Sequence, residues 1–219
     1  MNDRTCYVIG LTGNIACGKS TVVAMLRECG AQVIDADRVT HDLQRPGEPV
    51  YQQIVATFGL GILVEPGGPI DRRKLGAIVF GDPAALRQLE QIVHPAVHTR
   101  ISAWLSSLGG TGTAADHDDR RPRESTSQLP TTVAVIDAIK LLESGWKPIC
   151  DAIWVVTCPP EQQLARLIAT RGMDAAEARG RIAAQPPQAD KAAQADVVID
   201  NSGTLDYTRR QVEAAWQAI

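Results

Sequence analysis

The chain opens on an apolar run, Tyr7-Val8-Ile9-Gly10-Leu11, that ends in Thr12-Gly13. A run apolar at every position, rather than at alternate ones, predicts a strand covered on both faces, as in parallel sheets. The next segment, Gly18 to Cys29, places Val22, Val23, Met25 and Leu26 on one side of a helix, with Gly30 as its stop. Gln32-Val33-Ile34-Asp35-Ala36 predicts a second strand, ending in acids. Strand, helix and strand in succession make a βαβ unit.

The middle of the chain predicts helices. Asp71 caps one running to Phe80, and Asp82-Pro83 starts another. In the second, Leu86, Leu89, Val93, Val97, Ile101, Trp104 and Leu105 recur every three or four residues, and Pro95 predicts a kink near His94. Ser106 to Thr132 loses the pattern: it carries Gly109-Gly110 and a charge cluster at Asp116–Arg121, and predicts a mobile surface loop. Val133–Asp137, Ala152–Thr157 and Asp196–Asp200 predict three more strands. Glu161–Arg171 reads as a helix stopped by Gly172, and Asp174 with Glu177 as a capping box. Thr204 caps a last helix with Leu205, Val212, Trp216 and Ile219 inward. Strands alternating with helices predict an α/β, doubly wound sheet.

Composition narrows the classes. With 219 residues, 22 basic and 25 acidic, the net charge is 22 − 25 = −3. This mild acidity, with no long basic run and 4% aromatic residues, argues against nucleic acid as a partner. No apolar stretch is long enough to span a membrane, so no membrane partner is expected. The five cysteines are spread out with no C-x-x-C, as in a reduced, cytoplasmic protein, and the first residues carry no leader pattern.

Gly13-Asn14-Ile15-Ala16-Cys17-Gly18-Lys19-Ser20-Thr21 matches G-x-x-x-x-G-K-[ST], between a predicted strand and a predicted helix. Glycines let the backbone fold around a polyphosphate, and the helix turns its positive end to it. Lys19 reaches the β- and γ-phosphates and Ser20 holds Mg²⁺. Cys17 is either a thiol activated by the helix N-terminus or a small filler, the filler being the favoured reading. No N-K-x-D guanine motif is present, and the one D-x-x-G, Asp200–Gly203, follows the last strand, where a switch does not belong. Asp35 and Asp37 stand at the carboxyl edge beside the loop and face alike if the strand continues. One can orient or deprotonate an acceptor hydroxyl while the other reaches the Mg²⁺ shell through water; alternatively, one caps the next helix, Arg38 to Leu43.

These motifs in order resemble the dephospho-CoA kinase family. The resemblance runs through Thr12-Gly13 and the loop, Val33–Asp37, Asp71–Leu75, Phe80–Pro83, Val93-His94-Pro95, Ala183–Gln185 and Val197–Gly203. It implies transfer of a phosphoryl group from ATP, with Mg²⁺, to the ribose 3′-hydroxyl of dephospho-CoA. It also implies an α/β, three-layer P-loop kinase with a five-stranded parallel sheet, a helical acceptor-binding insertion and a small helical lid. As one domain, the core takes about 1–45, 131–165 and 193–219, the insertion about 46–105, the loop about 106–132 and the lid about 166–192. Asp37 matches the family's general base. Thr12, Arg72, Arg73 and His94 fall on the acceptor side, Arg166 matches a lid arginine near the adenine, and Asn201 lies where the chain closes around the base. Arg171 is a second lid cation. Mg²⁺ prefers oxygen ligands, which sets His94 aside as its ligand. Two departures stand out. Lys140 replaces the proline of the family's D-x-P-L-L and either touches a CoA phosphate or faces solvent. The lid stretch 185–191 carries Lys191 as its sole cation. A monomer is expected, with an oligomer left open. A related nucleoside or nucleotide kinase, or a P-loop protein that has lost transfer and only senses nucleotide, remain open alternatives.

Overall fold

The computed structural model describes residues 6–108 and 132–219. Two compact units emerge: Met1–Ile34 with Leu105–Ile219, and Asp35–Trp104. The second unit begins at Asp35 and so includes the helix that follows it.

In the first unit five strands form a parallel sheet: β1 (Cys6–Gly13), β2 (Gln32–Asp35), β3 (Thr132–Asp137), β4 (Ala152–Thr157) and β5 (Val197–Asp200), in the order β2-β3-β1-β4-β5. The continuous apolar runs are the central strands: β1 and β4 are buried nearly throughout and β3 over Ala134–Ile136, whereas β2 and β5 lie at the edges and are partly open. The sheet core gathers Ile9, Leu11, Val135, Trp154, Val156 and Ile199. Against it pack Val22, Val23 and Leu26 of α1 (Lys19–Glu28) and Val212 of α9 (Leu205–Trp216). Registry fixes the functional edge. Leu11 pairs with Asp137, Gly13 with Val156 and Thr157 with Asp200, so the carboxyl ends of four strands converge.

The local signals set the helix ends. Gly30, at φ 102°, closes α1: its N–H donates to Arg27 at 3.0 Å and the N–H of Ala31 to Leu26 at 2.9 Å. Gly172, also left-handed, stops α6 (Pro160–Arg171). Asp174 caps α7 (Ala175–Ala183) by accepting from Ala176 and Glu177. The capping box is only half made, however: Glu177 pairs with Arg181, one turn on, at 2.8 Å. Thr204 caps α9 as expected, but Leu205, expected inward, is 65% exposed, and burial on this helix begins at Thr208. A short helix the sequence pattern did not predict, α8 (Gln188–Ala192), precedes β5.

The second unit is helical: α2 (Ala36–Leu43), α3 (Pro49–Phe58), α4 (Arg72–Val79) and α5 (Pro83–Leu108) as far as Trp104. Its core is built from Leu43, Val50, Ile54, Ile62, Leu75, Val79, Val93, Val97 and Ile101. Of the predicted α5 positions, Val93, Val97, Ile101 and Leu105 are buried, while Leu86, Leu89 and Trp104 are only partly buried, and helix persists on both sides of Pro95. Leu108 is still helical, so the pattern break at Ser106 marks a solvated last turn, not a loop start. The predicted loop over 109–131 lies outside the described residues. Among the described residues no helix is long and apolar enough to cross a membrane.

Candidate active site

The loop after β1 is built as the motif requires. Ala16 holds a left-handed φ of 58° and Gly18 one of 92°. A Cβ on Gly13 would lie 2.6 Å from the Val156 carbonyl, and one on Gly18 would lie 1.8 Å from Asn201 Nδ2, so both positions need glycine. Side chains from distant segments hold the loop's carbonyls. Arg166 Nη1 donates to Ala16 O at 3.3 Å, and Asn201 Nδ2 to Cys17 O at 2.8 Å. Because a trans peptide points its N–H opposite to its carbonyl, the Gly18 N–H faces away from Asn201. Arg166 also donates to Asn201 O at 2.8 Å, and Thr208 donates its hydroxyl to Asn201 Oδ1 at 2.9 Å. Asn201 is buried. Both residues expected at the base thus brace the phosphate loop itself.

Lys19, the first residue of α1, forms an ion pair with Asp137 at the end of β3. Both side chains are mostly buried, which strengthens their attraction. In sequence Asp137 is only the last residue of a predicted strand; the β1–β3 register brings it to the lysine. Ser20, on the exposed side of the same turn, and Thr21 follow. Ser20 and Asp137 offer hard oxygen donors, the chemistry Mg²⁺ takes alongside phosphate oxygens and water. No cluster of three or more metal-binding side chains occurs among the described residues. Asn14 Oδ1, within the loop, is buried with no hydrogen-bond partner.

The segment Gln185–Lys191 ties three strand ends together. Gln185 Oε1 accepts from the Ile15 N–H at 2.7 Å, and Asn14 Nδ2 donates to Pro186 O at 3.1 Å. Gln188 pairs with both backbone groups of Cys158, past β4, at 3.3 Å each. Lys191, 3% exposed, donates to Ile139 O at 2.8 Å and lies 3.6 Å from Glu143. The lone cation of this stretch is therefore a strut, not a free phosphate ligand. Thr12, expected to touch the acceptor, is fully buried and donates to the same Ile139 carbonyl at 3.0 Å, so its hydroxyl positions the turn after β3. Lys140, in that turn, is exposed, and Arg171 is exposed at the end of α6, away from the loop braced by Arg166.

β2 stops at Asp35 and α2 begins at Ala36, so Asp35 and Asp37 do not share a strand face. The Asp35 carboxylate accepts from the Arg38 N–H at 2.9 Å as the cap of α2, the bond that the alternative reading of this acid predicts. Asp37 is exposed in the first turn of α2. Arg72 begins α4 behind the Asp71 cap and contacts His41; Arg73 follows it, exposed. His94 is exposed on α5.

Cys17 is completely buried. Burial, and after it the neighbouring Cys158, push its thiol from 9.0 up to about 12. It is a filler: at pH 8 only about one molecule in ten thousand carries the thiolate. We expect maleimide to leave Cys17 unlabelled at pH 8 in the folded protein and to label it on unfolding. The sign for stability follows from the raised value. The protonated thiol favours the folded state fully below pH 9, and this contribution is lost as pH rises toward 12. Thermal melts from pH 8 to 10 should therefore fall more steeply for wild type than for Cys17→Ala.

A family model for dephospho-CoA kinase matches residues 7–113 and 119–206. The chain belongs to the dephospho-CoA kinase family. The curated dephospho-CoA kinase of Symbiobacterium thermophilum is 50% identical over 211 residues, 96% of this chain and 80% of that one. That of Geobacillus kaustophilus is 45% identical over 214 residues, 96% and 97% of the two chains. Among solved structures, TT1252 from Thermus thermophilus aligns with a TM-score of 0.75 at 29% identity over 98% of both chains. The dephospho-CoA kinase of Campylobacter jejuni aligns with a TM-score of 0.65 over 96% and 95%; at 24% identity this likeness speaks for the fold alone.

Proposed function

We propose that this member of the dephospho-CoA kinase family transfers the γ-phosphoryl group of ATP to the ribose 3′-hydroxyl of dephospho-CoA, in the cytoplasm, to give coenzyme A and ADP. The observation that carries the reading is the strand–loop–helix cradle with Lys19 held at Asp137, in a chain half identical to a named dephospho-CoA kinase. In this reading the loop N–H groups and Lys19 take the triphosphate, with Arg166 and Asn201 keeping the loop carbonyls out of its way. Ser20 and Asp137 would hold Mg²⁺, which when bound neutralises charge on the phosphate oxygens. Asp37 takes the proton of the 3′-hydroxyl as that oxygen bonds to the γ-phosphorus. The bond from phosphorus to the β–γ bridging oxygen breaks, and ADP leaves. Lys140, Arg73 and His94 are exposed cations or bases available to the acceptor.

The test is turnover with ATP and Mg²⁺, offering dephospho-CoA beside a panel of nucleosides and nucleoside monophosphates. We expect product from dephospho-CoA, phosphorylated on the ribose 3′-oxygen. Turnover with a panel member but not with dephospho-CoA would assign another kinase. Tight ATP binding without any transfer would assign a sensor.

A further inference from the structure

At 3% exposure Lys191 is the most buried charged residue among the described residues, and the transfer step makes no direct use of it. Its Nζ donates to the Ile139 carbonyl at 2.8 Å, while Glu143, its opposite charge, is 41% exposed and 3.6 Å away. A loose, solvated partner of this kind offsets little of the cost of burying an ammonium. An apolar side chain of similar length would fill the space at lower cost, so a cation kept there points to a task beyond cohesion.

The Ile139 carbonyl supplies that task. It also accepts from Thr12 Oγ1 at 3.0 Å, so one oxygen takes a donor from the end of β1 and another from α8. A carbonyl has two lone pairs, and both are engaged. Thr12 borders Gly13, where the phosphate loop begins, and α8 is itself fixed past β4, where Gln188 pairs with Cys158. Two residues before Ile139 stands Asp137, the ion-pair partner of Lys19; between them the Ala138 N–H donates to Leu11 O at 3.0 Å. No proline occurs from Ala138 to Ser144, so hydrogen bonds and not a ring hold the backbone where it leaves β3. We infer that Thr12 and Lys191 are positioning residues for phosphoryl transfer: by gripping the Ile139 carbonyl they set where the Asp137 carboxylate stands, and so where it holds Lys19. Neither needs to touch a substrate. The inference rests on the kinase reading given above.

The experiment compares wild type, Lys191→Met, Thr12→Val and Thr12→Ser, each assayed well below its melting temperature with Mg²⁺–ATP and dephospho-CoA varied separately. Lys191→Met should lower kcat about ten- to a hundredfold, the upper figure being the cost of misplacing a reacting group by about 1 Å. Thr12→Val keeps the shape and removes only the hydroxyl donor; it should lower kcat about fivefold, the worth of one neutral hydrogen bond. Thr12→Ser keeps the donor and should stay within about twofold of wild type. KM for both substrates should hold within about twofold throughout, whereas a direct grip on acceptor or phosphate would raise it. Unchanged kcat in Lys191→Met, or a raised KM with kcat intact, overturns the inference while the functional reading stands. Should Lys191→Met fail to fold, Thr12→Val decides by the same two criteria. If wild type makes no coenzyme A, the functional reading falls, and denaturant unfolding decides the positioning. The stability lost to Lys19→Met should shrink by about half or more in a Lys191→Met or Thr12→Val background, and additive losses overturn the inference.

Discussion

Asp37→Asn should lower kcat with dephospho-CoA by about a hundred- to ten-thousandfold, the range carried by a positioned general base. That is about 3–5 kcal/mol of barrier. The amide is the same size and keeps hydrogen bonding, but it cannot accept the hydroxyl proton. Asp37 is exposed and makes no cap, since Asp35 serves α2 in that role, so the change costs the fold almost nothing. ATP affinity should stay within twofold, because the nucleotide cradle is formed by other residues. Single-turnover assays with equilibrium ATP binding separate the two effects. Near-normal turnover in the variant would remove Asp37 from the chemistry.

The second large effect belongs to Lys19. Lys19→Met should lower kcat by about a hundred- to a thousandfold, comparable to losing one preorganised donor at a developing negative charge. Unlike Asp37→Asn, it should also destabilise the protein. Lys19 is the ion-pair partner of Asp137, whose side chain is only 12% exposed. Methionine removes the cation beside that carboxylate, and a partly buried acid that loses its ion-pair partner is costly. Adding Asp137→Asn to Lys19→Met should therefore recover thermal stability while leaving activity lost. Recovery of activity in the double variant would show that the lysine serves the fold and not the phosphates.

These two predictions differ in how far they could be made without coordinates. The Asp37 prediction rests on a residue type at a strand end and on family likeness. The stability half of the Lys19 prediction needs Asp137, 118 residues away in sequence. No spacing rule points from one to the other. The pairing exists because β3, though third in the chain, lies beside β1 in the sheet with Leu11 opposite Asp137.

The same division holds across the molecule. The phosphate loop was legible because its chemistry is contiguous: glycines, the lysine and the helix start lie on one short stretch of backbone. The caps at Asp71, Asp174 and Thr204 and the stops at Gly30 and Gly172 were legible for the same reason, each satisfying groups within a turn of itself. Apolar runs gave the strands, since a doubly covered strand cannot carry alternating polar residues. By contrast, the struts at Gln185, Gln188 and Lys191, the burial of Thr12 and the clamping roles of Arg166 and Asn201 depend on which strand ends lie side by side. The exposure of Leu205 is likewise tertiary, whereas Glu177 turned to Arg181 on its own helix, a local choice between two nearby partners. Periodicity states which face of an element is apolar. The partner that a polar side chain finds is set by the three-dimensional neighbourhood, where residues far apart in sequence compete for it and the nearest well-aligned donor or acceptor wins.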